Sequence, residues 1–464
     1  MNKILLKNID LLATMDNSFS VLEDCSLVAE DGIIRNIAAE GIDLEEGEEY
    51  ETIDMSGYLV MPGMINCHHH MYQSLTRVVP KAQNVGLFQW LKVLYPIWGK
   101  LTPEAIYVSS VIAMSELLLS GCTSSSDHLY MYPNGVSLDD SIRAANDIGI
   151  RFHPTRGSMS LGESGGGLPP DHLVEKEGEI LADCQRVIEE YHDDSYGSML
   201  RIGLAPCSPF SVSEELMKAT ANMAKEYNVR LHTHLAETID EEEYCLAKFG
   251  YRPLEYIMEL GWDVDTVWLA HMVHCDKCDV SRLADARMSI THCPSSNMRL
   301  ASGIAPIRNM LGAGVNVSIG VDGSASNDGG HMIGEARQAM LLARLNDVIN
   351  FDSGGYKKAP EEAFPAIKAL EMATKGGAAS LGRADIGKLE IGMCADLIAI
   401  RMDKLEYAGG LHDPLAAVLM CSSVKPDIVI VNGQIVVENG MIINIDLPPI
   451  IEKHNLLSYA IVNE

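Results

Sequence analysis

Basic residues are scarce in this 464-residue sequence: 35 lysines and arginines stand against 64 aspartates and glutamates, which gives a formal net charge of -29. No long basic stripe interrupts this acidic background. A chain of such charge repels a polyanionic backbone. We therefore expect no nucleic acid polymer as a partner.

Long apolar runs and a secretory signal are also missing. No uninterrupted apolar stretch is long enough to cross a bilayer, and the amino-terminal MNKILLKNIDLLATMDN lacks both a long apolar region and a small-residue cleavage site. We expect a cytoplasmic protein with no membrane partner, whose 11 cysteines are reduced thiols. The lone C-x-x-C of Cys275 and Cys278 lacks the second pair that a four-thiolate zinc site requires.

Two β-rich ends bracket a different middle. The segments 1–57 and 387–447 alternate short apolar runs with Asp, Gly and Asn, which is typical of short strands and turns. Neither has enough strands to bury its own face, so they predict one small β-sandwich composed of both termini. We assign 58–386 to a large α/β domain and 448–464 to a C-terminal tail that packs on the fold.

The middle segment alternates apolar strand-like runs with helical patterns, which predicts a parallel β/α (TIM-like) barrel. Nearly every strand is followed by a polar residue. The carboxyl ends of barrel strands converge on one face, so these residues predict one polar site. The eight candidate strands end near His68, His128, Arg156, Ser208, His234, His271, Ser296 and Asp322.

Three of these strand ends carry metal-binding side chains. Alternate residues on a strand point the same way, so His68 and His70 can reach one metal ion, with His234 and Asp322 completing the set. Imidazole and carboxylate are the usual ligands of a catalytic zinc, which keeps one position open for water and lowers its pKa to about 7. The same ligands would also accept iron or manganese. Asp322 and Glu237 could share the proton transfers of a hydrolysis.

The sequence resembles the amidohydrolase superfamily, in its branch of guanine, cytosine and chlorotriazine hydrolases. The motifs that carry the resemblance are HHH after PGMIN, HTHLAET, LAHMVH, HCPSSNMRLASG and GVDGSASND, in order over nearly the whole chain. The terminal GKLEIGMCADLIAI and VNGQIVVENG resemble that family's composite sandwich. The resemblance implies a metal-dependent barrel that catalyses hydrolysis.

The resemblance also implies roles for individual residues. Glu237, in the H-x-x-E element, shuttles protons, and His271, in AHMVH, polarises the attacked centre or orients the water. The fourth strand end, LAPCSPFS, has no lysine to bridge a metal pair, so we expect one zinc per subunit. The implied metal ligands are His68, His70, His234 and Asp322.

Further segments, among them NCHHHMYQSLTR and RGSMSLGESGGGLPP, resemble members of the family that deaminate oxidised purine bases. This likeness implies that 8-oxoguanine and water give urate and ammonia. Related members deaminate isoxanthopterin or guanine, or remove alkylamines from hydroxytriazines, and these activities stay open as alternatives. So does a non-catalytic homologue, which would lack metal ligands that this sequence retains.

Four residues are candidates for contacting a flat heteroaromatic substrate. Gln73 offers a donor and an acceptor, and Trp90 could form a lid over the ring. Arg156 could donate to a purine carbonyl, with a structural ion pair as the alternative, and Ser208 lies at the fourth strand end. A homo-oligomer is an open alternative, because no interface is legible in the sequence.

Overall fold

The amino-terminal segment forms strands, as its pattern predicts. The computed structural model describes residues 3–39, 42, 49–350 and 355–463, so residues 1–2, 40–41, 43–48 and 464 of the predicted terminal segments lie outside the described residues. The first five strands are β1 (Lys3–Ala13), β2 (Val21–Glu30), β3 (Ile33–Ala38), β4 (Glu51–Asp54) and β5 (Tyr58–Pro62).

Eight parallel strands close into a barrel, in which the last strand pairs with the first through Ile319 and Asn66. The predicted barrel is confirmed, although its seventh strand ends at His292 and Ser296 lies in the helix that follows. The barrel strands are β6 (Met64–Asn66), β7 (Cys122–Leu129), β8 (Arg151–Ser158), β9 (Gly203–Pro206), β10 (Arg230–Leu235), β11 (Val267–His271), β12 (Ser289–His292) and β13 (Asn316–Ile319).

The carboxyl-terminal strands complete the sheet that the amino terminus begins. They follow a short hairpin of β14 (Ile349–Asn350) and β15 (Gly355–Tyr356), and they are β16 (Leu397–Arg401), β17 (Ile428–Val431), β18 (Gln434–Glu438) and β19 (Met441–Ile442). Together with β1 to β5 they form a nine-stranded, mostly antiparallel sheet in the order β19-β18-β17-β16-β5-β1-β2-β3, with β4 beside β1. The composite terminal unit predicted from the sequence is therefore present.

One strand lies on the other side of the predicted domain boundary. Tyr58–Pro62, which the sequence pattern assigned to the barrel segment 58–386, pairs with β1 and β16 and belongs to the terminal sheet. Its backbone partners lie there because the chain enters the barrel only at Met64. The bounds of the predicted domains otherwise stay predictions.

Helices connect and cover the strands. Thr102 caps the second helix by accepting a hydrogen bond from the backbone N–H of Ala105, and Pro103 occupies its first turn. No helix in the described ranges combines the length and hydropathy needed to cross a bilayer. The helices are α1 (Leu87–Trp98), α2 (Pro103–Leu119), α3 (Leu138–Ile148), α4 (Glu177–Tyr191), α5 (Glu214–Tyr227), α6 (Ile239–Phe249), α7 (Pro253–Glu259), α8 (Lys277–Asp285), α9 (Pro294–Arg299), α10 (Ile307–Gly312), α11 (Met332–Asn346), α12 (Ala366–Glu371), α13 (Gly377–Ser380), α14 (Pro414–Met420) and α15 (Leu447–Asn463).

Buried polar contacts join the terminal elements to the barrel. Arg151 at the start of β8 forms a buried ion pair with Asp396, just before β16, at 2.7 Å. Helix α15, which covers most of the predicted tail 448–464, packs on α2, and the Ser458 hydroxyl donates a 2.6 Å hydrogen bond to the Leu75 carbonyl. Leu75 lies in the turn that follows the predicted metal histidines, so the tail supports that turn from behind.

Candidate metal centre and active site

The four predicted metal ligands converge at the carboxyl end of the barrel. Oδ1 of Asp322 lies 3.3 Å from Nε2 of His68 and 3.4 Å from Nε2 of His70. The Nε2 atoms of His70 and His234 are 3.0 Å apart. A tetrahedral zinc with metal–nitrogen distances of about 2.0–2.1 Å holds its ligand atoms about 3.3 Å apart, so this donor set fits one zinc ion.

Hydrogen bonds to the backbone fix the tautomers of two of these histidines. Nδ1 of His70 lies 2.7 Å from the carbonyl of His128, and Nδ1 of His234 lies 2.7 Å from the carbonyl of Cys207. A carbonyl only accepts, so each Nδ1 carries the proton and each Nε2 is left as a lone pair. Two lone pairs at 3.0 Å repel each other unless a cation lies between them.

His232 fixes the tautomer of His68, with an imidazole in place of a backbone carbonyl. Nδ1 of His232 donates to the carbonyl of Trp268 at 2.7 Å, which leaves its Nε2 to accept from Nδ1 of His68 at 2.8 Å. The lone pair of His68 is thereby placed on Nε2, which faces Asp322. His232 is a positioning residue, as metal-binding histidines ordinarily require.

Burial keeps these imidazoles neutral, as metal binding requires. It lowers the pKa of His234 to about 3 and lowers the pKa values of His68 and His70 as well. His128 adds a further buried imidazole, and one of its ring nitrogens lies within 4.8 Å of one ring nitrogen of each of His68, His70 and His234. The predicted metal centre therefore consists of neutral imidazoles, whose unprotonated ring nitrogens are available to bind a cation.

We predict that His232→Leu weakens zinc binding by roughly 10- to 100-fold, the usual effect of losing a partner behind a metal ligand. The change leaves Nδ1 of His68 without its acceptor. Zinc affinity would be measured by competition with a chelator. His153→Leu is the control, because His153 is equally buried in the barrel and its ring nitrogens have no hydrogen-bond partner among the described residues. Equal zinc affinity in the two variants would contradict the prediction.

Glu237 and His271 lie next to each other beside the predicted metal ligands. Nε2 of His271 lies 3.6 Å from Oε2 of Glu237, while Nδ1 of His271 lies 2.9 Å from Oδ1 of Asn297. The hydroxyl of Ser302 donates to Oε1 of Glu237 at 3.2 Å. Burial raises the pKa of Glu237. Burial alone lowers the pKa of His271, but the carboxylate of Glu237 and that of Asp322 outweigh it, and the net shift is upward.

A buried carboxylate holds the turn that aims Glu237. The two oxygens of Glu241 accept the backbone N–H groups of Ala236 and Glu237 at 3.0 and 2.9 Å. Ala236 has a φ of 51°, in the left-handed region that a residue with a side chain rarely adopts. His271 and Asp322 are also left-handed, with φ values of 74° and 63°. Such strain is typical of sites where side-chain direction matters more than local stability.

A cavity opens directly onto these groups. Both Gln73 and Trp90 line it, and both are buried. Oε1 of Gln73 accepts from the backbone N–H of Ala325, and Nε1 of Trp90 donates to the Ala325 carbonyl. The lining residues are His70, Gln73, Leu87, Trp90, Leu91, Tyr95, Tyr130, Cys207, Phe210, His234, Glu237, Glu241, His271, Leu300, Asp322 and Ser326.

The structure places two predicted substrate contacts elsewhere. Arg156 does not line the cavity, because its buried guanidinium forms ion pairs with Glu175 at 2.7 Å and Asp183 at 2.8 Å. The structural ion pair, left open as the alternative, is what the structure shows. The hydroxyl of Ser208 is buried against that of Ser211 at 2.7 Å. Its neighbour Cys207 lines the cavity instead.

Sequence reasoning missed most of the apolar wall. Helix α1 contributes four cavity residues, and the spacing of its apolar residues in LFQWLKVLY was the available signal. No comparable pattern marks Tyr130, Phe210 or Leu300, which come from separate segments and meet only in the folded chain.

Comparison with known proteins agrees with this architecture. Residues 59–436 match the amidohydrolase family, and the chain belongs to that family. It is 45% identical over 441 residues to an 8-oxoguanine deaminase from Pseudomonas aeruginosa, a match that covers 92% of this chain and 95% of that protein. It is 34% identical to hydroxydechloroatrazine ethylaminohydrolase from Pseudomonas sp. strain ADP, over 92% of this chain and 89% of the relative.

A solved structure of the same family contains zinc. The atrazine chlorohydrolase from Arthrobacter aurescens, complexed with zinc, matches with a TM-score of 0.91 and 35% identity over 98% of this chain and 100% of its own. The family, the barrel fold and the hydrolase class predicted from the sequence are thereby confirmed. The roles of individual residues stay predictions, argued from the geometry above.

Proposed function

We propose that the protein is a zinc-dependent hydrolytic deaminase of a free oxidised purine base, converting 8-oxoguanine and water to urate and ammonia. The observation that carries the proposal is a cavity lined by three of the four proposed metal ligands, by Glu237 and His271, and by an aromatic wall. The identity to an 8-oxoguanine deaminase over most of both chains supports the choice of substrate. The reaction is a step in the breakdown of oxidised purines.

The donor set would hold one zinc ion through His68, His70, His234 and Asp322. When bound, zinc lowers the pKa of a water molecule to about 7 and so supplies a nucleophile at neutral pH. Iron or manganese would suit the same ligands. What the protein contributes is neutral imidazoles, a fixed carboxylate and a buried cavity.

Glu237 moves the protons that the reaction requires. Adding water to the amino-bearing carbon demands that a base accept a proton, and releasing ammonia demands that an acid return one to the nitrogen. The buried carboxyl of Glu237, with its raised pKa, is suited to both steps. His271 lies beside it, and its raised pKa favours the charged imidazolium, which would stabilise negative charge on the attacked ring.

Gln73 and Trp90 would hold the ring of the base. Trp90 cannot swing freely, because its N–H is bound to Ala325, and it therefore presents a fixed aromatic surface. Gln73 packs so closely on Gly323 that a Cβ there would collide with its amide. The amide is thus held at the cavity wall, where it would hydrogen-bond the edge of a base.

Ammonia release from a panel of bases tests the proposal. The panel contains 8-oxoguanine, guanine, isoxanthopterin, cytosine and a hydroxytriazine bearing an alkylamino group, since a hydroxytriazine aminohydrolase is among the relatives. We expect kcat/KM for 8-oxoguanine to exceed that for guanine by roughly 10²-fold or more. Amine release only from the triazine would replace the proposed substrate, and inactivity of the zinc-loaded protein on every compound would favour the non-catalytic homologue.

A further inference from the structure

One face of helix α1 forms a wall of the active-site cavity. Leu87, Trp90, Leu91 and Tyr95 all line it, at the spacing of residues that share a helical face. Three of these side chains leave no polar atom without a hydrogen bond. The two leucines are apolar, and the N–H of Trp90 donates to the Ala325 carbonyl. Tyr95 is the exception.

The hydroxyl of Tyr95 is buried with nothing to bind. The side chain is 0% exposed, and its Oη has no hydrogen-bond partner among the described residues. Burying a hydroxyl without a partner costs about 1–3 kcal/mol, so such groups are uncommon inside proteins. The cost is tolerable where a ligand supplies the missing partner, and Tyr95 lines the proposed substrate cavity.

We propose that Tyr95 determines specificity by hydrogen-bonding a polar edge atom of the substrate base. The inference deepens the proposed function and rests on it. The carbon that reacts must lie at the metal ligands, so the atom that meets Tyr95 belongs to the part of the base that does not react. A hydroxyl both donates and accepts, so it can bind a ring carbonyl or a ring N–H. An oxidised purine carries both kinds of group.

If the Tyr95 hydroxyl binds the substrate, its removal should change the kinetics without lowering the melting temperature. Loss of a structural hydrogen bond would lower the melting temperature instead. Tyr95→Phe removes an unsatisfied hydroxyl from the free enzyme, so the melting temperature is expected to stay the same or rise. The substrate then loses its partner, so KM should rise and kcat/KM should fall by roughly 10- to 100-fold. Zinc content should not change, because Tyr95 is not one of the proposed metal ligands.

Tyr407→Phe is the matched control. Tyr407 is also 0% exposed with an unpartnered hydroxyl among the described residues, but it lies outside the cavity. The experiment measures melting temperature, zinc content and kcat/KM on the base panel for wild type and both variants, and the affinity of each for urate.

Loss of kcat/KM and of urate affinity in Tyr95→Phe alone supports the inference. Equal kinetics in wild type and Tyr95→Phe on the best substrate of the panel overturns it, as does a loss confined to kcat. A wild type that prefers another base refutes the proposed substrate only. The role of Tyr95 is then judged on that preferred base, so the two failures remain distinct.

Discussion

Replacing Glu237 with glutamine is expected to lower kcat by roughly 10²- to 10⁴-fold while zinc remains bound. That is the usual contribution of a general acid–base group, and an amide cannot take its place because it acts as neither an acid nor a base near neutral pH. Glutamine preserves the shape of the side chain and can still accept from Ser302. Steady-state ammonia release and metal analysis on the same preparation provide the measurement.

Glu243→Gln is the control for this substitution. Glu243 is exposed on α6, the helix that follows Glu237, so the same chemical change should leave turnover unaltered. Loss of zinc along with activity in Glu237→Gln would mean that Glu237 acts as a ligand. Turnover at the wild-type rate would remove it from the proton transfers altogether.

The second large effect is expected at Asp322. Asp322→Asn removes the only anionic group among the four proposed ligands, so zinc affinity should fall by at least about 100-fold, more than after loss of a partner behind a ligand. Activity should fall with metal content and return only in part at high zinc. Chelator competition measures the affinity, and circular dichroism checks that the fold persists.

The exposed Asp285 at the end of α8 offers a control of the same chemistry, and Asp285→Asn should bind zinc like the wild type. If Asp322→Asn retained both zinc and full turnover, the assignment of this carboxylate to the metal would be wrong. The two substitutions at Glu237 and Asp322 thus separate a residue that moves protons from a residue that holds the metal.

The metal centre was predictable because its signal is local. His68 and His70 are two residues apart, and His234, His271 and Asp322 each follow or end an apolar strand-like run. Barrel geometry then dictates that residues at such positions share one face. The Nε2–Oδ1 distances of 3.3 and 3.4 Å show how closely they meet.

The substrate wall was less predictable because several segments build it. Ser208 and Cys207 are adjacent, yet only Cys207 lines the cavity, and a shift of one residue at a strand end reverses which side chain faces inward. Arg156 lies near a strand end as expected, but its guanidinium forms ion pairs with Glu175 and Asp183, which come later in the chain. Neither partner is apparent from the sequence near Arg156.

The strand pairings also constrain the order of events during synthesis. The barrel closes only when β13 pairs with β6. Strand β5 can pair with its second neighbour, β16, only after β16 has emerged from the ribosome. A nascent chain that ends before β13 carries His68, His70 and His234 but not Asp322. The complete ligand set therefore exists only after most of the polypeptide has been made, and a chain terminated before β13 lacks the one carboxylate among the proposed metal ligands.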